Sequence, residues 1–147
     1  VNELQELYRE VILDHNREPR NFGELAGASR VVDGVNPLCG DKVTLYVKLN
    51  GDVIEDVRFK GSGCAISVAS SSLMTERVKG RPIAATLDLV AQVHGMLTGT
   101  AGYDQNMDKL SALAGVREFP SRVKCASLAW HALKAALVGS DKKVSTE

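Results

Sequence analysis

KVTLYVKLNGDVIEDVRFKGSGCAISVASSSL (residues 42–73) changes its period once, and that change decides the fold. Val43, Leu45, Val47 and Leu49 alternate with Thr44, Tyr46 and Lys48, the spacing of a strand with one buried face. Asn50-Gly51 is a tight-turn signal and the β-rich run from Val53 to Phe59 follows it, which predicts a β-hairpin. After Gly61-Ser62-Gly63-Cys64 the apolar residues Ala65, Val68, Ala69 and Leu73 share one face of a helix, and Gly80-Arg81-Pro82 stops it. An isolated hairpin is marginal, so Arg30 to Val32 is expected to add an edge strand. Strands first and helices afterwards predict an α+β fold: a small antiparallel three-stranded sheet with helices packed on one face.

Upstream, Leu4, Leu7, Tyr8, Val11 and Ile12 mark a helix from Leu4 to His15, closed before Pro19. REPRNFGELAG (17–27) then reads as an exposed loop with Arg17, Arg20 and Asn21 as its polar groups. Downstream, helices fit Thr86 to Leu97 and Asp108 to Ala114, with TGTAGYDQN between them as a loop. The last helix starts after Pro120, with Ser121 as its expected N-cap and Cys125 near its first turn, and ends at Gly139. The expected organisation is one domain over residues 1–140 and a flexible polar tail over 141–147.

The chain has 147 residues, enough to bury a core without disulfide or metal staples. Eighteen basic residues balance eighteen acidic ones and are mixed along the chain, so no basic stripe is available for phosphate and nucleic acid is not an expected partner. No run approaches the roughly 18 apolar residues of a membrane span, and VNELQELYREV does not read as a signal peptide. The expectation is a cytoplasmic protein without membrane attachment. Thiols stay reduced there, so three cysteines, an odd number, read as buried hydrophobes, metal ligands or reactive thiols before disulfide partners.

Each cysteine stands beside structural punctuation: Cys39 between Pro37 and Gly40, Cys64 after Gly-Ser-Gly, Cys125 shortly after Pro120. Helix N-termini carry unpaired N–H groups and partial positive charge, so Cys64 and Cys125 are expected to shift toward thiolate, the metal-binding form. In an extended chain Cys39 and Asp41 point the same way, with Gly40 removing the side chain between them. Three sulfurs and one oxygen suit a tetrahedral zinc ion or the terminal ligation of a two-iron cluster. Asp41 is a harder ligand than a thiolate and would make a cluster easier to release. The spacing contains no C-x-x-C pair, and Lys124 beside Cys125 could lower a thiol pKa, but a lysine at a helix start is usually just a solvated side chain.

Two other chemistries compete. Cys64 could be the nucleophile of a thiol enzyme or redox protein with His15, His94 or His131 as base, although His94 and His131 fall within helical patterns. The Gly-Ser-Gly turn could bind phosphate at a helix N-terminus, but the spacing and Lys-Ser/Thr ending of a P-loop are missing.

Three stretches taken together, LYREVILDHNREPRNFGEL (7–25), NPLCGDKVTLYVKLNGDVIEDVRFKGSGCAISVASSSLMTE (36–76) and FPSRVKCASLAWHALKAAL (119–137), resemble the U-type iron–sulfur scaffold family of IscU, SufU and the amino-terminal domain of NifU. The resemblance implies that Cys39, Cys64 and Cys125 are the family cysteines and Asp41 the family aspartate. Lys124 stands where IscU-type members have histidine, EFPSR (118–122) replaces their Leu-Pro-Pro-Val-Lys chaperone motif, and VHGMLTGTAGYDQNMDKL is similar to the SufU insertion. These departures place the chain nearest SufU-like members and argue against a dedicated Hsp70-type partner. The family further implies a cysteine desulfurase as sulfur donor, apo iron–sulfur proteins as clients, and zinc, a 2Fe-2S cluster or a 4Fe-4S cluster as the group held. From its match to the family the loop of Arg17, Arg20 and Asn21 could dock the desulfurase, although arginines on a loop are usually just solvated.

Overall fold

The computed structural model describes residues 3–99, 105–139 and 143–146. Strands β1 (Arg30–Asn36), β2 (Asp41–Asn50) and β3 (Val53–Ser62) form the expected antiparallel meander, with Arg30 opposite Val47 and Lys42 opposite Ser62. Alternation puts Val43, Leu45 and Val47 of β2 inside, while Lys42, Thr44, Tyr46 and Lys48 face the other way. A bulge between Lys48 and Leu49 leaves Glu55 without an opposite residue, so β3 buries Ile54 and then Val57 and Phe59.

The sheet has four strands, not three. Lys143–Ser145 forms β4, parallel to β1 at Asp33, Gly34 and Val35, and the order is β3-β2-β1-β4. The outer edge of β1 would otherwise present unpaired N–H and C=O groups. Gly34 opens the space that β4 needs, since a Cβ there would meet Val43, Leu128 and Val144 methyls at 3.0–3.3 Å. A polar tail can thus be ordered by backbone pairing and one apolar contact, neither of which its composition reveals. Residues 141, 142 and 147 of that tail, and 100–104 of the expected TGTAGYDQN loop, lie outside the described residues.

The helices are α1 (Glu3–Arg17), α2 (Ala65–Val78), α3 (Ile83–Thr98) and α4 (Pro120–Val138), with a 3₁₀ segment at Gln105–Glu118 where a short helix was expected. Pro120 occupies the first helical position of α4, where its missing N–H costs nothing, so Phe119 and not Ser121 is the N-cap. α2 and α4 lie against the sheet's apolar face, and α1 packs on α2.

α2 is the central helix, and its buried surface is largely hydroxyl: Ser67, Ser70, Ser71, Ser72 and Thr75 are buried with Ala69, Leu73 and Met74. Small side chains allow neighbouring helices to approach, but each buried hydroxyl needs a partner. Ser70 donates to the Ala126 carbonyl at 2.6 Å and accepts from Trp130 Nε1 at 3.1 Å, joining α2 to α4. Ser72 lies 2.7 Å from His15 Nδ1 and accepts the Arg20 backbone N–H at 2.8 Å, joining α2 to α1 and the following loop.

His15 is buried and its Nε2 has no hydrogen-bond partner among the described residues. Burial, followed by the charge of Arg20, lowers its pKa below the ordinary 6.5, with Glu76 acting in the opposite sense. The unfolded chain then binds the proton first. His15's contribution to stability is therefore complete above about pH 6.5 and is lost as pH falls through its folded pKa, at no more than about 1.4 kcal/mol per pH unit. Urea unfolding between pH 7.5 and 5 is expected to show a shallower loss of stability on acidification in His15→Gln than in the parent. Equal slopes would exclude this role.

Candidate metal centre

β1 and β2 are joined by Pro37, Leu38, Cys39 and Gly40, closed by the Cys39 N–H donating to the Asn36 carbonyl at 3.3 Å. Gly40 takes φ +72°, a left-handed conformation that suits glycine. The chain at Cys39–Asp41 is therefore a turn and not extended as the sequence suggested. The turn, not strand alternation, brings the two side chains to one side.

Asp41 opens β2 and is 1% exposed. A buried carboxylate needs donors, and Asp41 has one for each oxygen. Oδ1 accepts the Cys64 backbone N–H at 2.9 Å, and Oδ2 accepts Asn36 Nδ2 at 2.9 Å. Gly63 makes the first possible: it sits at φ +148°, and a Cβ there would collide with Oδ1. Cys64 is the N-cap of α2, its Sγ accepting the Ser67 N–H at 3.5 Å. These contacts occupy two amides of the α2 N-terminus with Asp41 and Cys64 themselves, which removes the basis for the phosphate reading.

The Sγ atoms of Cys39 and Cys125 and a carboxylate oxygen of Asp41 lie within 4.8 Å of one another. A tetrahedral ion with sulfur ligands at about 2.3 Å sets donors roughly 3.5–4 Å apart, so a small contraction closes the trio on an ion. Two soft donors and one hard donor on three separate chain segments fit zinc or a labile iron–sulfur cluster. Cys64 is not in that trio but borders it, its backbone N–H donating to the Asp41 carboxylate. The cysteines grade from exposed Cys39 through half-buried Cys64 to buried Cys125.

Cys125 is the sixth residue of α4, beyond the first turn where the helix N-terminus favours thiolate. Burial, then hydrogen bonding with Asp41, Cys39 and Cys64, pushes its thiol well above the ordinary thiol range. The expected shift toward thiolate is thus reversed in the metal-free protein. Lys124 is exposed.

The histidines serve elsewhere. His15 meets Ser72, while His94 and His131 stand edge to face, 6.2 Å between ring centroids, on an apolar groove of about 500 Å³ between α3 and α4. Cys64 Sγ accepts the Ser67 backbone N–H, and with the histidines engaged elsewhere the thiol-enzyme reading lacks its base. The loop polar groups are largely structural: Arg20 binds Asp14 at 2.6 Å and Asn21 donates to Thr75 at 3.2 Å, leaving Arg17 exposed. The sequence reading missed Asn36. Its signal is a polar residue at an inward position of a strand whose other inward positions are Val32 and Gly34.

Residues 7–146 match the family model of the NifU-like N-terminal domain. The chain belongs to the NifU-like N-terminal domain family. Within that family it is 47% identical over 133 residues to the zinc-dependent sulfurtransferase SufU of Bacillus subtilis strain 168, covering 89% of each chain. It is 42% identical over 138 residues to the iron–sulfur cluster assembly scaffold protein IscU of Streptococcus pyogenes serotype M1, covering 93% of this chain and 86% of that one. The crystal structure of FiSufU from Fervidobacterium islandicum AW-1 superposes with TM-score 0.84 at 36% identity, covering 90% of this chain and 98% of that one. Among the described residues of this family member no helix is long and apolar enough to cross a membrane.

Gly63 and Gly40 both have positive φ, but a Cβ at Gly40 meets nothing within 4 Å. Gly40→Ala should cost about 1 kcal/mol of backbone strain, and Gly63→Ala roughly 1–3 kcal/mol more, because the Asp41 carboxylate must move. Chemical denaturation of both variants checks this. Equal losses would mean that Asp41 is not packed against Gly63.

Proposed function

We propose that this chain is an iron–sulfur cluster assembly protein that acts as a metal-bound sulfur acceptor. Cys39, Asp41 and Cys125 hold zinc, with Cys64 as the fourth donor. The carrying observation is the convergence of two thiols and a buried carboxylate within 4.8 Å, bordered by a third thiol. The similarity to a zinc-dependent sulfurtransferase supports the choice of metal. When bound, zinc supplies the positive charge that keeps its thiol ligands ionised.

Cys39 is the exposed cysteine, on a turn that projects from the sheet, so it is the thiol that a cysteine desulfurase's persulfide can reach. Its thiolate attacks the terminal sulfur of that persulfide. The bond between the desulfurase cysteine and the terminal sulfur breaks, the desulfurase leaves as thiolate, and Cys39 becomes the persulfide. No external oxidant or reductant is required. Asp41, locked between Asn36 and the Cys64 N–H, keeps the other side of the site assembled while Cys39 is away from it. The sulfur then passes to apo iron–sulfur proteins, in the reducing cytoplasm where three free thiols persist.

The similarity to proteins named iron–sulfur scaffolds favours one second reading, in which the same four side chains hold a 2Fe-2S or 4Fe-4S cluster as cargo and Asp41 makes its release easy. Native mass spectrometry of protein isolated without chelators or oxygen distinguishes the two. The expected result is one zinc per chain, lost in Cys125→Ser, and a gain of one sulfur on the Cys39 peptide after exposure to a desulfurase and cysteine. A cluster mass in place of zinc would overturn the acceptor reading in favour of the scaffold, and metal-free parent protein would overturn both.

A further inference from the structure

Asn36 is the last residue of β1 and is fully buried. Its amide joins two of the proposed ligands that come from different elements. Nδ2 donates to Asp41 Oδ2 at 2.9 Å and approaches Cys125 Sγ at 3.5 Å. On the far side its Oδ1 accepts the Thr146 hydroxyl at 2.8 Å. The Asp41 carboxylate can only accept, and so can Cys125 in the thiolate form that binds metal, so the site needs the N–H₂ end of the amide. The Asp41 carboxylate selects that orientation, and the Thr146 hydroxyl anchors the amide from its oxygen end. With the amide reversed, its oxygen would face the Asp41 carboxylate, and two acceptors would be in contact.

Thr146 follows β4 directly. Its N–H donates to the Val35 carbonyl at 3.2 Å, extending the parallel pairing of Asp33, Gly34 and Val35 with Lys143, Val144 and Ser145. Val144 is seated in the space left by Gly34. The end of the chain is thus fastened to the strand that carries Asn36, and its hydroxyl reaches across to the Asn36 side chain.

We propose that Asn36 is a positioning residue for the metal centre and that Thr146 braces it, so that strand β4 affects how firmly Asp41 and Cys125 are presented to a metal. The proposal rests on the metal-site reading above. Groups that hydrogen-bond to metal ligands fix their orientation, and their removal typically costs roughly 10–100-fold in metal affinity.

The test measures zinc affinity by chelator competition, and the absorption of the cobalt(II)-substituted protein, for the parent, Asn36→Ala, Thr146→Val and Thr146→Ser. Asn36→Ala strips a donor from a buried carboxylate and can fail to fold. Thr146→Val keeps the shape and removes only the hydroxyl, and circular dichroism confirms its fold. Thr146→Val is expected to weaken zinc binding about tenfold and to shift the cobalt bands, while Thr146→Ser returns both toward the parent. A contribution of Thr146 to fold stability alone would leave affinity and spectrum unchanged. Folded Thr146→Val with the parent's affinity and spectrum overturns the positioning role. A parent that takes up neither metal overturns the site reading itself.

Discussion

The structure around the cysteines depends on one buried carboxylate. Removing Asp41 from water costs several kcal/mol unless its oxygens find donors. The Asn36 amide and the Cys64 backbone N–H meet that requirement from the end of β1 and the start of α2. Sheet and helix must both be in place before Asp41 can be buried there. Gly63 follows from the same constraint, since any side chain would occupy the space of the carboxylate. The loop between β3 and α2 is therefore shaped by a residue more than twenty positions upstream.

The hydroxyl face of α2 sets the remaining distances. Ser70 links α2 to the Ala126 carbonyl and to Trp130, on the turns of α4 that follow Cys125. Ser72 and Thr75 bind α2 to the loop after α1 through the backbone N–H and carbonyl of Arg20, with Ser72 also meeting His15. A helix of larger apolar residues could bury as much surface, but would hold its neighbours farther away and without a fixed register. Small, paired hydroxyls let Cys64 at the head of α2 border Cys125 in the second turn of α4.

The graded exposure of the cysteines divides the chemistry. Cys125 is enclosed and, without a metal, held as a neutral thiol by burial and its neighbours. Cys39 stands on a glycine-assisted turn where solvent reaches it. The site thus has one exposed thiol, with an enclosed carboxylate and thiol behind it.

Much of the fold was legible in the sequence because it rests on local periodicity: the hairpin from Val43 to Phe59, the onset of α2 at Cys64, and the existence of α3, which begins at Ile83, three residues before the expected Thr86. Of the four side chains expected at the candidate site from turns, helix starts and family resemblance, Cys39, Asp41 and Cys125 converge and Cys64 borders them. Other features depended on residues far apart in the chain. β4 exists because an edge of β1 is free and Gly34 leaves room for Val144, neither of which a polar tail records. The protonation of Cys125 follows from burial against Asp41 and two other thiols, which overrides a helix-start argument that assumed exposure. Asn36 gains its meaning only when strand, turn, helix and chain end meet around one amide. The sequence by itself determined which elements form and which atoms can bind a metal, because those are local properties of period and side-chain type. Tertiary structure alone decided which donors converge, which are exposed and what holds them, because those are distances between segments that the chain order leaves open.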